Sequence, residues 1–136
     1  MTSQLTMWTS DELNKIGNAE ELQIAGLRKD GALRSWRTIW VVRVGENLYV
    51  RSVNGRDSAW FRGTQTRHEG RIQAGGVNKD VTFVEEIDLT VHGQIDSAYR
   101  KKYSRYPKEY VDACLTSQAR AATIKVEPRL TGSTSI

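Results

Sequence analysis

The sequence predicts a mainly β fold, a small antiparallel barrel with helical insertions. Three observations carry that expectation. Two runs rich in β-branched and aromatic residues, Thr38–Val44 and Leu48–Val53, are joined by the short turn Gly45-Glu46-Asn47. The connections between consecutive β segments are too tight for the crossovers that parallel pairs need. Helical periodicity is confined to a stretch near the N-terminus and to the region after Asp88. With 136 residues the chain fits a single domain, 1–136, long enough to bury a core without staples.

In chain order, Thr9 with Glu12 three residues on is a capping-box signature, and predicts a short helix through about Ile16 that ends near Gly17-Asn18. Leu22, Ile24 and Leu27, with polar residues between, predict a strand that stops at the Asp30-Gly31 turn. The Thr38–Val44 and Leu48–Val53 hairpin follows. With a three-residue loop, Trp40, Val42 and Val44 share an interior face with Ser52, Val50 and Leu48. Val41 and Arg43 then share the other face with Arg51 and Tyr49, toward a partner, a ligand or water. Asn54-Gly55 marks a turn, and Asp57 or Ser58 can cap a short helix over Ala59-Trp60-Phe61-Arg62. Arg71–Ala74 and Val81–Val84 read as a second hairpin with a longer loop at Gly75-Gly76. Beyond Asp88, Ile95, Tyr99, Lys102 and Tyr103 recur at helical spacing. Pro107 suits the first position of another helix through Tyr110, Val111, Cys114 and Leu115. Ala122–Glu127 alternates as a closing strand, and 128–136 is a polar tail expected to fray. The total is about six strands with two or three helices.

Composition excludes several classes. No apolar run approaches the ~20 residues that span a bilayer. Met1-Thr2-Ser3-Gln4 does not open a signal peptide. A lone Cys114 rules out an intrachain disulfide framework and fits a reducing cytosol, so a cytoplasmic protein is expected. His68 and His92 lie in different elements with no metal-ligand spacing around them, so no metal site is expected. Cys114 sits at an apolar helical position and reads as a buried structural thiol. There is no Gly-x-Ser-x-Gly elbow, and Glu85-Glu86, as strand neighbours, point to opposite faces. No catalytic residue is nominated.

The one strong functional pointer is charge patterning. Between Arg34 and Arg71 the chain carries eight arginines, no lysine and three of its four tryptophans. That stretch has a net charge of +5, whereas the remainder is −1, so the whole positive excess lies there. Arginine presents a planar fork that grips phosphate or carboxylate bidentately and stacks on aromatic rings. Arg37 and Thr38 before one strand, Arg51 and Ser52 at the end of the next, Asn54 and Gly55 in the turn, and Trp60 and Arg62 in the following helix are the candidate ligand residues. Guanidinium, hydroxyl, turn amides and a helix N-terminus together suit a phosphate, and Trp60 can cover an aromatic ring. The competing reading is that these arginines pair with acids or blunt an edge strand.

These residues resemble a known family. Arg37–Val42, Gly45–Ser52, Asn54-Gly55, Ala59–Arg62, Ala74–Val77, Val81–Phe83 and Ile95–Tyr103 are similar to domain-of-unknown-function family 2255, over about Trp8 to Pro128. The family is grouped with flavin-binding split barrels, among them pyridoxamine-phosphate oxidases and deazaflavin-dependent nitroreductases. The resemblance implies a six-stranded antiparallel Greek-key split barrel, a homodimer, and FMN or a deazaflavin bound between barrels. It implies an arginine before the first long strand, matched by Arg37. A serine and glycine after the second strand are matched by Ser52 and Gly55, and an aromatic stretch by Trp60-Phe61. The expected function is binding of FMN or a deazaflavin, with possible reductase or oxidase activity. The alternative is a non-enzymatic module that uses the Arg/Trp face for another anion or a protein partner. A nucleic-acid surface is disfavoured by the scarcity of lysine.

Overall fold

The structure, a computed structural model, describes residues 7–129. Residues 130–136 of the tail expected at 128–136, and residues 1–6, lie outside the described residues. Helix α1 spans Ser10–Gly17, and its capping box forms as the sequence requires: Glu12 N donates to Thr9 Oγ1 at 3.1 Å, and Thr9 N donates to the Glu12 carboxylate at 3.0 Å. Then come β1 (Leu22–Gly26), β2 (Arg37–Ile39), β3 (Val42–Val44), β4 (Asn47–Arg51), α2 (Ala59–Arg67), β5 (Glu69–Ala74) and β6 (Val77–Glu85). The chain continues with α3 (Leu89–Lys102), α4 (Lys108–Ala113), α5 (Ser117–Arg120) and β7 (Thr123–Pro128).

All seven strands belong to one antiparallel sheet, in the order β2-β1-β5-β6-β7-β4-β3. The two outermost strands, β2 and β3, are consecutive in the chain, with only Trp40 and Val41 between them. The sheet is therefore curled until its edges meet along one bent segment. That accounts for seven strands where the sequence predicts six: the single expected strand over Thr38–Val44 pairs with β1 through its first half and with β4 through its second. The bend is tied to the Tyr103 hydroxyl. Val41 N donates to it at 3.2 Å, and it faces the carbonyls of Glu20 (2.8 Å) and Val41 (3.1 Å). Trp40 stacks flat on the Tyr103 ring, with centroids 3.8 Å apart.

Two cores lie on opposite faces of this sheet. The barrel interior holds Leu22, Ile24, Val41, Leu48, Val50 and Phe83 with their neighbours, all essentially inaccessible. The outer core holds Val42, Tyr49, Ile95, Tyr99, Tyr103 and Val111, where α3 and α4 cover β3 and β4.

This arrangement corrects the hairpin register. Val42 pairs with Tyr49 and Val44 with Asn47, so the loop has two residues, Gly45 and Glu46, instead of three. Gly45 has φ +61°, which the first position of a two-residue hairpin turn readily uses. The one-residue slip puts Val42 and Val44 on the face of Tyr49 and Arg51, beneath α3, while Val41 joins Leu48 and Val50 inside the barrel. The second hairpin is also tighter than expected. Ala74 pairs with Val77 across Gly75-Gly76, both at positive φ, so β6 begins at Val77 instead of Val81. Ser58 caps α2, which runs on to Arg67. Pro107 stands just before α4 as its cap instead of inside it. Pro128, placed in the tail by sequence, is buried and pairs with Val81 at the end of β7.

Candidate functional site

Two pockets meet at Trp60. The first, of about 200 Å³, is lined by Arg28, Arg34 and Arg37, with Ser35 and the start of α2, and by no carboxylate. The pairing of β1 with β2 sets Arg37 opposite Ile24. The loop between those strands, pinned by Arg34 N donating to Gly26 O, brings Arg28 and Arg34 to the same place. Arg34 crosses α2 at Gly63, where an added Cβ would lie 2.8 Å from Arg34 Cδ, and its Nη2 donates to Thr66 Oγ1 at 3.0 Å. Its Nε is buried with no acceptor in reach. A buried donor without a partner is costly and rare in a folded chain, and here it belongs to a cation lining a pocket with no carboxylate in its walls. The second pocket, of about 280 Å³, is mainly apolar: Trp40, Trp60, Tyr99 and Tyr110 line it, with Thr38 and Cys114.

The eight arginines of the Arg34–Arg71 stretch divide by partner. Arg51, Arg56, Arg67 and Arg71 pair with Asp96, Glu85, Glu69 and Asp80. Arg43 is held by Asn14 Oδ1 and Gly45 O. Arg34, Arg37 and Arg62 have no carboxylate partner among the described residues, and two of the three line the basic pocket. The acid-pairing reading therefore holds for Arg51, Arg56, Arg67 and Arg71, and does not account for Arg34 and Arg37.

Of the candidate residues, Arg37 and Trp60 come together in the basic pocket, and Thr38 and Trp60 in the aromatic cleft. Thr38 Oγ1 donates to Gln23 Oε1 at 2.9 Å. Arg51 also lies at the cleft wall, but as a phosphate ligand it is corrected. Its Nε donates to Thr123 Oγ1 (2.9 Å), its Nη1 to Asp96 Oδ1 (2.5 Å) and Cys114 O (2.8 Å), and its Nη2 to His92 Nδ1 (3.0 Å) and His92 O (3.4 Å). All five N–H groups face protein acceptors and the side chain is fully enclosed, so no donor is left for a ligand. Because Arg51 can only donate, His92 Nδ1 accepts, and the ring proton sits on Nε2, which donates to Glu86 O at 2.8 Å. Ser52 is buried. Its hydroxyl donates to Gly55 O and receives Ser58 Oγ, which in turn accepts from Phe61 N at the start of α2. Ser52, Asn54, Gly55 and Arg62 line neither pocket. Asn54 stands just before a short 3-10 turn, Gly55–Asp57, and Arg62 is exposed.

Arg28, Arg34, Tyr99 and Tyr110 are among the lining residues that sequence reasoning did not nominate. Arg34 opens the lysine-free stretch and was visible there. The tyrosines come from the α3 and α4 layer, whose docking no local signal encodes. Burial pushes the Cys114 thiol up to about 11, against the pull of Arg51, so it stays protonated and weakly nucleophilic at neutral pH. Burial likewise raises the Tyr99 hydroxyl well above its ordinary value. Among the described residues no group of three His, Cys, Asp or Glu side chains could hold a metal ion, and no helix is long and apolar enough to cross a membrane.

Solved structures share this fold. HutZ, the heme storage protein from Vibrio cholerae, matches with TM-score 0.56 at 14% identity, over 92% of this chain and 93% of that one. A candidate pyridoxamine 5′-phosphate oxidase from Listeria innocua matches with TM-score 0.55 at 10% identity, over 86% and 88%. An FAD-binding protein from Mesorhizobium loti matches with TM-score 0.51 at 18% identity, over 92% and 91%. At these identities the likeness is one of fold, and the fold is the split barrel. No curated protein matches the sequence. The model of domain-of-unknown-function family 2255, described as uncharacterized protein conserved in bacteria, matches residues 12–126, and the chain belongs to that family.

Proposed function

We propose that this protein binds a flavin, FMN or a deazaflavin, with the phosphate in the basic pocket and the ring in the aromatic cleft. One observation carries the reading: a carboxylate-free pocket with three arginines and an aromatic cleft share a single wall, Trp60. Together the pockets fall within the ~300–1,000 Å³ usual for small-molecule sites. The buried, unpaired Nε of Arg34 fits an anionic group arriving there. Arg28, Arg34 and Arg37 would hold the phosphate, and Trp60, Tyr99 and Tyr110 would enclose the ring. A bound flavin supplies the redox chemistry of a reductase or oxidase, while the chain contributes binding, orientation and exclusion of water. That solved proteins of this fold include an FAD-binding protein and a candidate pyridoxamine 5′-phosphate oxidase supports the reading.

The same reading includes a homodimer. Leu33 and Trp36 beside the basic pocket, and Val53 and Tyr110 at the cleft, are 37–58% exposed and offer apolar surface for a second barrel to close over the site. Light scattering on a sizing column reads the mass.

The test is a titration with FMN, FAD and a deazaflavin, followed by visible absorbance and tryptophan quenching. Arg34→Ala and Arg37→Ala each weaken binding about tenfold, the loss of one charge-assisted hydrogen bond of ~1.5 kcal/mol. Trp60→Phe removes most of the quenching. Retention of no flavin, or variants that bind as the parent does, overturns the proposal. Binding without turnover of any electron donor favours the non-enzymatic module.

A further inference from the structure

A third pocket, sharing no residue with the two above, lies between α1, β3 and α3. Its volume is about 330 Å³, and Arg43, Lys101 and Lys102 line it with no carboxylate among its walls. Lys102 differs from the other lysines. Lys15, Lys79, Lys108 and Lys125 each pair with an acid, and Lys29 and Lys101 are exposed. Lys102 is half-buried, and its Nζ turns inward to donate to Val41 O at 2.6 Å, 5.1 Å from the centre of the Tyr103 ring. Arg43 is fixed at the pocket wall by Asn14 and Gly45.

We propose that this pocket binds a small carbonyl compound bearing a carboxylate and that Lys102 captures it as an imine. Arg43 and Lys101 attract the carboxylate, and the uncharged form of the Lys102 amine is the nucleophile. Its nitrogen lone pair attacks the carbonyl carbon, and the resulting carbinolamine loses the oxygen as water. A C=N bond replaces C=O, and no electrons are gained or lost. The amine is available because burial lowers its pKa to about 8, so a useful fraction is neutral in mildly alkaline solution. The charged and titratable groups around it keep that direction. Arg43 on β3 and Lys101 on α3 are like charges, and the Tyr103 hydroxyl, which shares the Val41 carbonyl, is pushed upward by burial and stays neutral. From the segment after α1, the Glu20 carboxylate is taken by Arg105 and Tyr106, while Glu21 acts on Tyr103.

The experiment treats the full chain with glyoxylate and cyanoborohydride and locates the reduced adduct by peptide mass spectrometry. Lys102 is expected to be modified ahead of every other lysine, with a rate that rises through pH ~8. The uncharged probe acetaldehyde is expected to label it several-fold more slowly. Arg43→Gln slows labelling by glyoxylate about fivefold, the size of one partly screened charge interaction, and slows labelling by acetaldehyde clearly less. Lys102→Arg removes the adduct. Adducts spread evenly over the exposed lysines overturn the proposal, as does equal labelling of Lys102 by both probes. The pH profile and probe comparison on the unmodified sequence decide the matter even if the Lys102 variant fails to fold.

Discussion

The Arg51 guanidinium is enclosed by acceptors from α3, from the end of α4 and from β7, and the Asp96 carboxylate it meets is 4% exposed. Removing Arg51 strands one oxygen of the buried Asp96 carboxylate, because Arg120 holds only the other. Arg51→Ala is therefore expected to cost about 3–5 kcal/mol in urea unfolding, whereas Arg37→Ala, on the exposed pocket rim, stays within about 0.5 kcal/mol. Arg51→Lys falls near the alanine variant, because an ammonium cannot reproduce five fixed donors. The pair also sets an acid limb. Burial of Asp96 disfavours its charged form, but hydrogen bonds and charge from Arg120 and Arg51 outweigh that and hold its carboxyl below the ordinary range. A lowered folded-state pKa gives stability that is present above the unfolded value near ~3.9 and is lost as pH falls through the folded one. Melting curves from neutral pH downward should show the gap between the parent and Asp96→Asn closing below pH ~4. A gap that is constant across that range removes the argument.

At the scale of elements, the β5–β6 turn gives an internal control. Gly75 and Gly76 both have positive φ, +57° and +86°. A Cβ on Gly75 would lie 2.2 Å from the Lys15 carbonyl oxygen at the end of α1, whereas one on Gly76 meets nothing within 4 Å. Gly76→Ala should cost only the left-handed strain of ~1–2 kcal/mol. Gly75→Ala adds displacement of α1 and should cost clearly more, read as the difference in urea midpoints. Equal midpoints would mean that α1 is not seated on this turn. The same elements show what sequence conveys. The start of α1 was legible because Thr9 caps through contacts three residues long, and α3 was legible from its period, with Asp88 found capping its start. The β3–β4 register was not, because Gly45 permits a two-residue or a three-residue loop and only the burial of Tyr49 beneath α3 selects between them. α5, four residues capped by Thr116, is too short to leave a period.

At the scale of the whole molecule, the barrel closes because one strand serves two edges. Its composition made Thr38–Val44 a strand, but the break at Trp40-Val41 comes from Tyr103, 62 residues away from Val41, which nothing local announces. The site inherits that geometry. Arg37 and Trp60 were readable from an arginine-rich, lysine-free stretch, while the convergence of Arg28 on Arg37 depends on how β1 and β2 pair. Arg51 looked equivalent to Arg37 in sequence, and only the helix layer that supplies Asp96 separates an internal strut from a pocket cation. Closure itself can be tested. Tyr103→Phe keeps the ring stacked on Trp40 but deletes the hydroxyl that receives Val41 N and faces the Glu20 and Val41 carbonyls. Val41 O retains Lys102 Nζ and Glu20 is exposed to water, so the Val41 N–H is the buried group left without a partner. An unpaired buried donor costs about 1–3 kcal/mol. The loss should appear as a lower melting temperature together with faster hydrogen exchange at the Val41 amide, while amides in the β5–β6 hairpin, on the far side of the barrel order, slow or quicken only with global stability. Unchanged exchange at Val41 would mean that the bend is held by the Trp40–Tyr103 stack alone.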